Sequence, residues 1–358
     1  MRILFLIPYP EGLAPSQRFR FEQYFGILKE TGHTVQVSSF LDVKAWAILY
    51  RPGHWFQKMT AILRGYSRRF RDIFRVKKYD FVFIHREAEP FGPPIFEWLI
   101  ASVFKKKIIY DFDDAIWIPN ASESNSTLSK KFKNFSNVSK ICRWSYKVSV
   151  GNQFLKEFAI QYNENVVLNP TTIDTDLHHN TTKEHNKSKF IFGWTGSHST
   201  IQFLDVLISV FQELEKTEDF EFHVICDIAP KFKLRSLKYI PWKKDTEIED
   251  LLNFNVGIMP LPDNVWSKGK CGFKALQYMA LGIPAVVSNV GVNAQIVDHE
   301  LNGCICKSEE DWKHYLTRLL QEPEYLQGLS ALTREKIVQN YSVQSNRLNF
   351  LSLFEDKL

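Results

Sequence analysis

The sequence predicts an α/β protein made of two doubly wound parallel-sheet domains. Short apolar, β-branched segments alternate with helical patterns along most of the chain. The alternation restarts after a polar stretch near the middle, and 358 residues are enough for two cores. A hydrophobic content of 44% indicates a folded protein and excludes a disordered one.

The first half of the chain alternates between strands and helices from its beginning. The predicted strands cover residues 2–7, 33–40, 81–84, 107–110, 146–150 and 165–168. The predicted helices cover residues 16–31, 59–78, 91–104 and 152–162. Residues 118–129 are rich in Ser and Asn and predict a mobile loop. We expect this half to form one domain over residues 1–168.

The second half begins after residues 169–188, which are polar, lack a hydrophobic period and predict an interdomain linker. The predicted strands here cover residues 190–194, 220–225, 256–259, 285–287 and 303–306. The predicted helices cover residues 246–253, 271–281, 294–297 and 341–354. We expect a second domain over residues 189–340.

Positive charge is concentrated between Lys44 and Lys78. Ten basic residues there oppose one acid, Asp72, which gives the segment a charge of +9 and leaves −4 for the rest of the chain. Apolar residues from Met59 to Phe74 recur at helical spacing, with a stripe of Arg beside them. The pattern predicts docking on an anionic membrane surface. The alternative is a surface helix that packs its apolar face on its own sheet, and no motif favours nucleic acid.

The cysteines and the hydropathy of the chain predict a cytoplasmic protein. The five cysteines lack metal-ligand spacing and are expected to be buried, reduced thiols. No stretch of about 20 apolar residues predicts a membrane span, and the apolar run 3–7 is too short for a signal peptide. Peripheral attachment at the inner face of the plasma membrane would follow if the basic helix docks.

The most informative stretch is residues 268–288, which predicts a loop, a helix, a Gly turn and a buried strand. Lys268, Lys270 and Lys274 would surround the N-terminus of the helix, and Gly272 allows close backbone approach. The free N–H groups, the helix dipole and the lysines together favour a phosphate. The alternative is a solvated basic loop before an ordinary helix.

This stretch resembles the donor-binding segment of the retaining GT-B glycosyltransferases of family four, in the version with Lys-Cys-Gly-Phe-Lys at 270–274. The family has two glutamates that, aligned here, fall on Gly269 and Gln277. The resemblance implies that Gln277 holds the ribose of a nucleotide sugar, which its amide can do by hydrogen bonds. Many relatives hold the diphosphate with an Arg and a Lys near residues 193–200, which this chain lacks. We expect Lys268, Lys270 and Lys274 to replace them, with Lys270 and Lys274 as catalytic cations on the leaving diphosphate. Lys268, Gly272 and Phe273 are candidate donor-binding residues.

Two further loops are candidates for the donor site. Gly196 and Ser197 follow the strand 190–194, where a small, hydroxyl-bearing junction suits a phosphate or a sugar. The alternative for Ser197 is an ordinary helix cap. Gly291 and Asn293 lie in a stretch that resembles the Gly-rich loop of the family, whose backbone approaches the donor.

Charged residues also follow three strands of the first half. Arg18, Arg86 and Glu87 are candidate acceptor-binding residues, and Asp113 and Asp114 are candidate catalytic acids that accept a proton or a sugar hydroxyl. Because strand ends of a parallel sheet meet at its carboxyl edge, a shared site is plausible. The alternative for each acid is a helix cap or a surface ion pair.

Residues 111–113 form an Asp-X-Asp motif, which in GT-A glycosyltransferases binds a metal ion. The two-domain pattern argues against that fold, so we predict no metal. We predict no cofactor either, with a nucleotide sugar of the UDP or GDP type as substrate.

The resemblance implies a GT-B fold, with two Rossmann-like domains facing a cleft and a C-terminal helix, 341–358, that packs back on the first domain. It implies metal-independent hexosyl transfer with retention, from a nucleotide sugar to a saccharide or lipid-linked acceptor, in bacterial surface polysaccharide biosynthesis. The alternatives are a nucleotide-sugar epimerase or hydrolase on the same fold, and a non-catalytic partner subunit. Residues 8–13 lack the Gly-X-Gly-X-X-Gly pattern, which disfavours an NAD dehydrogenase.

Overall fold

The computed structural model describes residues 1–49, 51–118, 135–184 and 189–355. The chain divides into two compact units. Unit 1 consists of Met1–Thr171 and Asn346–Leu358, and unit 2 consists of Thr172–Ser345. Each unit is described separately.

Unit 1 is a six-stranded sheet in the order β2-β1-β3-β4-β5-β6, with all neighbouring strands parallel. The strands are β1 (Arg2–Ile7), β2 (Thr34–Ser39), β3 (Phe81–His85), β4 (Lys107–Phe112), β5 (Lys147–Val150) and β6 (Val166–Leu168). The helices are α1 (Pro15–Arg18), α2 (Phe25–Glu30), α3 (Val43–Ile48), α4 (Trp55–Arg75), α5 (Ile95–Trp98), α6 (Asn137–Trp144), α7 (Gln153–Ala159) and, at the C-terminal end, α15 (Arg347–Leu351).

Unit 2 is a second parallel sheet, in the order β12-β11-β10-β7-β8-β9. The strands are β7 (Ile191–Thr195), β8 (Glu221–Cys226), β9 (Leu237–Pro241), β10 (Val256–Met259), β11 (Ala285–Ser288) and β12 (Gly303–Cys306). The helices are α8 (Ile208–Leu214), α9 (Glu247–Leu252), α10 (Val265–Lys268), α11 (Phe273–Ala280), α12 (Asn293–Ile296), α13 (Glu309–Gln321) and α14 (Pro323–Asn340).

The predicted fold class, α/β with two doubly wound parallel sheets, is confirmed. Strand order reverses between β1 and β3 in unit 1, and between β7 and β10 in unit 2. In open α/β sheets, ligands bind outside the carboxyl ends of the strands at such a reversal. The topology therefore marks one candidate position in each unit.

Several element boundaries differ from the prediction. The helix predicted over 16–31 is divided into α1, a 3-10 turn (Glu22–Tyr24) and α2, because Arg20 and Phe21 turn inward and are buried. The helix predicted from 91 begins only at Ile95, after Pro93-Pro94. The final helix begins at Arg347, not at 341. The predicted loop 118–129 lies outside the described residues from 119 onward.

The C-terminal residues belong to the core of unit 1. Phe350 stacks on Tyr24 with ring centroids 4.1 Å apart. Phe354 meets the ring of Phe81 edge-on at 5.8 Å. The Lys147 ammonium donates to the backbone carbonyl of Glu355 at 2.8 Å. These contacts attach the last described turn of the chain to the sheet of unit 1.

The polar stretch 169–184 makes ordered contacts where the structure describes it. Ile173 is buried and forms a backbone bridge with Ser342 inside unit 2. The Arg334 guanidinium of α14 donates to the carbonyls of His179, at 2.7 Å, and Thr175, at 2.9 Å. From residue 173 onward, the backbone of this stretch is therefore held within unit 2, whereas the predicted domain limits stay a prediction.

Helix α4 carries most of the basic segment and packs one of its sides against the rest of unit 1. Its buried positions are Ala61, Gly65, Arg69 and Ile73. A Cβ atom on Gly65 would lie 2.5 Å from the ring of Phe40, so the helix rests directly on that ring. The large residues of the predicted apolar face therefore differ in burial. Some of them pack beside Phe40, and others remain exposed to solvent.

All five cysteines are buried and free, as predicted. Within the described part of the chain, no helix is both long and apolar enough to cross a membrane.

Candidate functional site

The candidate site of unit 2 lies at the carboxyl ends of β7 and β10. The backbone N–H of Thr195, the last residue of β7, donates to the Tyr278 hydroxyl of α11 at 2.9 Å. Tyr278 is fully buried, and burial raises the pKa of its hydroxyl. This hydrogen bond fixes helix α11 beside the end of β7, where the strand order reverses.

The Gly196–Ser197 junction is closely packed. Gly196 donates its N–H to the carbonyl of Ile225 at 3.0 Å, and a Cβ atom there would lie 2.3 Å from the Trp194 ring. The Ser197 hydroxyl lies 2.9 Å from that of Ser199. No side chain caps the 3-10 turn Ile201–Leu207 that follows, so the alternative of an ordinary cap by Ser197 is wrong.

Two of the three predicted lysines lie over indole rings. The ammonium nitrogen of Lys270 is 4.8 Å from the ring centroid of Trp266, and that of Lys274 is 5.5 Å from the ring centroid of Trp194. Both distances are within the range of a cation–π interaction, which holds the long side chains in place. Lys268 instead pairs with Asp263 at 3.2 Å, and both are largely exposed.

Two glycines bring backbone segments together around α11. Gly272 precedes the helix with φ of +69°, and a Cβ atom there would lie 2.1 Å from the Cδ1 atom of Ile296. Gly291 has φ of +60°, and a Cβ atom there would lie 3.2 Å from the carbonyl oxygen of Lys268. Residues with a side chain are strained at both positions. The loop at Gly291 therefore lies directly against the lysine-bearing loop.

Three buried polar atoms in residues 267–293 have no hydrogen-bond partner among the described residues. They are Ser267 Oγ, Gln277 Nε2 and Asn293 Oδ1. The amide nitrogen of Asn293 does donate, to the carbonyl of Ser288 at 2.9 Å. Burying a polar group without a partner is costly, and contact with a bound ligand is one way in which these three atoms would be satisfied. Phe273, the first residue of α11, is half-buried.

Sequence reasoning missed a His–Asp pair at the same edge of the sheet. His198 follows Ser197, and its Nδ1 atom lies 2.6 Å from Oδ2 of Asp227, which follows β8. The hydrogen bond to Asp227 raises the pKa of the His198 imidazole, with burial opposing it. The sequence signal that could have revealed this pair is a histidine shortly after the strand 191–195 and an aspartate directly after the neighbouring strand 221–226. The pair places an imidazole with a raised pKa at the same edge of the sheet as the candidate site.

In unit 1, three of the five predicted residues meet in one ion-pair cluster. The Arg86 guanidinium donates to Oδ1 of Asp113, at 2.7 and 3.0 Å, and to Oδ2 of Asp114, at 2.8 Å. Such charge-assisted bonds stabilise the ionised carboxylates. Asp113 and Asp114 therefore accept hydrogen bonds from one guanidinium, and their catalytic role stays a prediction.

The other two predicted residues of unit 1 are Arg18 and Glu87. Arg18 is largely buried, with its guanidinium 4.9 Å from the centroid of the Phe19 ring, which leaves little of it exposed to a ligand. Glu87 is half-buried, and its N–H donates to the carbonyl of His85 at 2.7 Å.

Asp111 has a structural role that the sequence did not reveal. It is fully buried, pairs with Arg20, and accepts from the Ser149 hydroxyl at 2.7 Å. The ring of His85 lies 2.8 Å from it. Although burial favours the neutral acid, the charge of Arg20 lowers the pKa of Asp111 below its usual range. The two aspartates of the Asp-X-Asp motif thus face different arginines.

Among the residues that the structure describes, no group of three or more His, Cys, Asp or Glu side chains is placed to hold a metal ion.

Comparison with known proteins identifies the second half of the chain. Residues 189–322 match the protein family described as Glycosyl transferases group 1. No curated protein matches the chain.

Solved structures with a similar fold cover the whole chain. Sucrose-phosphate synthase from Thermosynechococcus elongatus is 11% identical, with a TM-score of 0.69 over 99% of this chain and 98% of that one. HepE from Anabaena, solved with UDP and glucose, is 12% identical, with a TM-score of 0.62 over 99% of both chains. The lipopolysaccharide outer core galactosyltransferase WaaB is 11% identical, with a TM-score of 0.59 over 99% of both chains.

At this level of identity the structural similarity concerns the fold, which is GT-B, as predicted. The family match covers every candidate donor-binding residue from Gly196 to Asn293. Residues 189–322 therefore form a domain of the glycosyl transferases group 1 type, on a GT-B fold.

Proposed function

We propose that this chain is a retaining glycosyltransferase of the family-four type. It transfers a hexose from a UDP- or GDP-sugar to a saccharide or lipid-linked acceptor, in the synthesis of a bacterial surface polysaccharide. The observation that carries the proposal is the cationic edge of unit 2. There Lys270 and Lys274 flank the N-terminus of α11, at the reversal of strand order.

The chemistry of that edge suits a nucleotide diphosphate. A nucleotide sugar carries about two negative charges, and more charge collects on the diphosphate oxygen as the sugar leaves. The positive end of the α11 dipole and the two ammonium groups would stabilise this charge. Gln277 supplies a buried N–H donor without a partner, in the position where the ribose is expected. Asn293 supplies a buried acceptor oxygen.

Retention requires no protein nucleophile in this proposal. The acceptor hydroxyl attacks the anomeric carbon from the side on which the phosphate leaves. The bond between the anomeric carbon and the phosphate oxygen breaks, the new glycosidic bond forms, and the hydroxyl proton passes to the leaving phosphate. Asp113 and Asp114, held by Arg86, would accept hydrogen bonds from sugar hydroxyls of the acceptor. No step needs a metal ion.

Two other functions use the same donor site. A nucleotide-sugar epimerase or hydrolase would consume the donor without an acceptor. A non-catalytic partner subunit is favoured by one specific feature, since Gly269 and Gln277 stand where the family has carboxylates. Such a subunit would bind the nucleotide and turn over nothing.

A thermal-shift screen of the full chain against UDP, GDP, ADP, their sugars and NAD tests the proposal. Binding to the native state raises the melting temperature by mass action. We expect a shift with one nucleotide class, followed by transfer to an acceptor with the donor anomeric configuration kept, as read by NMR. A shift with NAD alone, or with no nucleotide, would contradict the proposal. Turnover without acceptor would favour the hydrolase, and binding without turnover the partner subunit.

A further inference from the structure

Helix α4 presents three different faces around its axis. At 100° per residue, the buried residues Ala61, Gly65, Arg69 and Ile73 form one side of the helix. The contact of Gly65 with the Phe40 ring fixes this side against unit 1. Arg69 also anchors it, because its guanidinium donates to the carbonyls of Ile7, at 2.8 Å, and Ala88, at 2.7 Å. The rotation of the helix is therefore fixed by the core.

A second side, centred about 120° around the axis from the buried one, carries large apolar side chains that remain 47–83% exposed. Six residues form this apolar stripe, within about 100° of the helix circumference: Trp55, Phe56, Met59, Leu63, Phe70 and Phe74. A helix of 21 residues is about 30 Å long, so the stripe is a long, narrow, convex surface. A monomeric protein rarely exposes a contiguous apolar surface of this size without a use for it.

A basic stripe lies immediately beside the apolar one. Arg64, Arg71 and Arg75 are exposed and fall within about 40° of each other on the helix. Lys77 and Lys78 extend the stripe beyond the helix and are also exposed. The only acid between residues 44 and 78 is Asp72, which is occupied by the Ser38 hydroxyl, at 2.6 Å, and by Arg69, at 3.3 Å. No carboxylate of this segment offsets the exposed charges.

We propose that α4 binds an anionic lipid bilayer, lying in the plane of the interface with the apolar stripe inserted among the acyl chains. The charge complementarity selects the lipid, because an apolar face flanked by cations and free of acids fits anionic headgroups over a hydrocarbon layer. This inference rests on the proposed function, in which a lipid-linked acceptor brings the protein to a membrane. It adds that the apolar stripe, and not charge alone, makes the contact with the bilayer.

Co-sedimentation of the full chain with vesicles tests the proposal. Vesicles of neutral phosphatidylcholine are compared with vesicles that contain 30% phosphatidylglycerol. We expect binding to the anionic vesicles only, weakened by 0.5 M salt because the screening length falls. Equal binding to both vesicles, or to neither, would overturn the proposal.

Two triple variants separate the stripes. Phe56→Ser with Leu63→Ser and Phe74→Ser should weaken binding at least about tenfold at any salt concentration, because all three side chains are exposed and insert. Arg64→Gln with Arg71→Gln and Arg75→Gln should weaken it by a similar factor at low salt only. Because the replaced side chains are exposed, we expect both triple variants to have the melting temperature of the wild type, as measured by circular dichroism.

Matched variants elsewhere on the surface serve as controls. Leu177, Leu301 and Leu348 are similarly exposed, so their triple replacement by Ser should leave vesicle binding unchanged. Lys231, Lys233 and Lys244, replaced by Gln, provide the charge control. An equal loss in the controls would overturn the proposal. The proposal would also be overturned if light scattering shows that the wild type is a dimer and that the apolar-stripe variant is a monomer. The apolar stripe would then bind a second copy of the chain. Nucleotide binding is measured separately, so this inference and the proposed function can fail independently.

Discussion

The carboxyl edges of the two sheets differ in how their charges are satisfied. In unit 1 the charges are paired internally, Arg86 with Asp113 and Asp114, and Arg20 with Asp111. In unit 2 the cations are held by aromatic rings and the buried polar atoms of Ser267, Gln277 and Asn293 lack partners. Buried polar atoms without a partner also occur in unit 1, for example Nε2 of His85 and Oε2 of Glu89. The comparison therefore concerns the cations, because the arginines of unit 1 are neutralised by aspartates, whereas Lys270 and Lys274 of unit 2 lie over aromatic rings, where they can still meet an anionic ligand.

The largest expected effect comes from breaking the internal pairing of unit 1. Arg20→Ala should lower the free energy of unfolding by about 3–5 kcal/mol, because it leaves the buried Asp111 charge without its partner. Urea denaturation measures it. Lys189→Ala, which removes an exposed pair with Asp219, is the control and should cost less than about 1 kcal/mol. Equal losses would show that the buried pair has no special role.

A smaller effect is expected where unit 2 approaches the ligand. Gly272→Ala should cost about 1–3 kcal/mol of stability and weaken nucleotide binding, because φ is +69° and the new Cβ would collide with Ile296. Gly328→Ala is the control, since Gly328 lies inside helix α14 with open space around it. It should stabilise the protein by about 0.5–1 kcal/mol. Equal melting temperatures for the two variants would contradict this account.

Unit 1 also contains two buried carboxyl groups that follow β3. Their protonation in the folded state can be tested by measuring stability at different pH values. Burial raises the pKa of Glu89 to about 10, and burial also raises the pKa of Glu97. Because the folded pKa is above the usual 4.5, the neutral acid stabilises the fold, and this stability is lost as pH rises from about 4.5 to about 10.

Glu89→Gln replaces the acid by a permanently neutral group. It should raise the free energy of unfolding by about 1 kcal/mol at pH 9 and change it little at pH 4. Denaturation at the two pH values measures the difference. Glu324→Gln, on an exposed part of the surface, should have no pH-dependent effect. A Glu89→Gln variant that is less stable at pH 9 than the wild type would refute the assignment.

The smallest effect concerns the imidazolium of unit 2. The hydrogen bond to Asp227 raises the pKa of His198, so its positive charge should persist above the ordinary value of 6.5 and disappear as the pH rises further. Nucleotide affinity should then fall about threefold through that range, by the loss of one nearby charge. His198→Gln should flatten this dependence. An unchanged pH profile in the variant would exclude His198 from the site.

The sequence predicted the strands well, because buried parallel strands are short apolar runs with sharp ends, as at Ala285–Ser288. It predicted Lys270 and Lys274 at one edge, because a glycine turn before a helix is a local feature. It could not predict that Arg86 forms ion pairs with Asp113 and Asp114. These aspartates are 27 and 28 positions from Arg86, and only the folded sheet brings the side chains together.

The orientation of α4 was also beyond the sequence. Its apolar residues have the period of a helix that packs on its own sheet, and the sequence cannot show which of them remain exposed. The contact between Gly65 and Phe40 decides this, because the small residue permits an approach that turns Leu63 and Phe74 outward. The unpartnered amide of Gln277 is likewise a property of the fold, not of the motif.

The most direct test of the central claim is isothermal titration of the full chain with UDP and GDP, compared with the Lys270→Ala, Lys274→Ala double variant. Lys189→Ala with Lys238→Ala is the control, because these two exposed lysines lie at the amino ends of β7 and β9, at the other edge of the sheet. The account predicts binding of one nucleotide by the wild type and the control, and affinity at least about tenfold weaker in the double variant, because two charges beside the diphosphate are lost. Equal affinity in all three proteins, or no binding by the wild type, would contradict it.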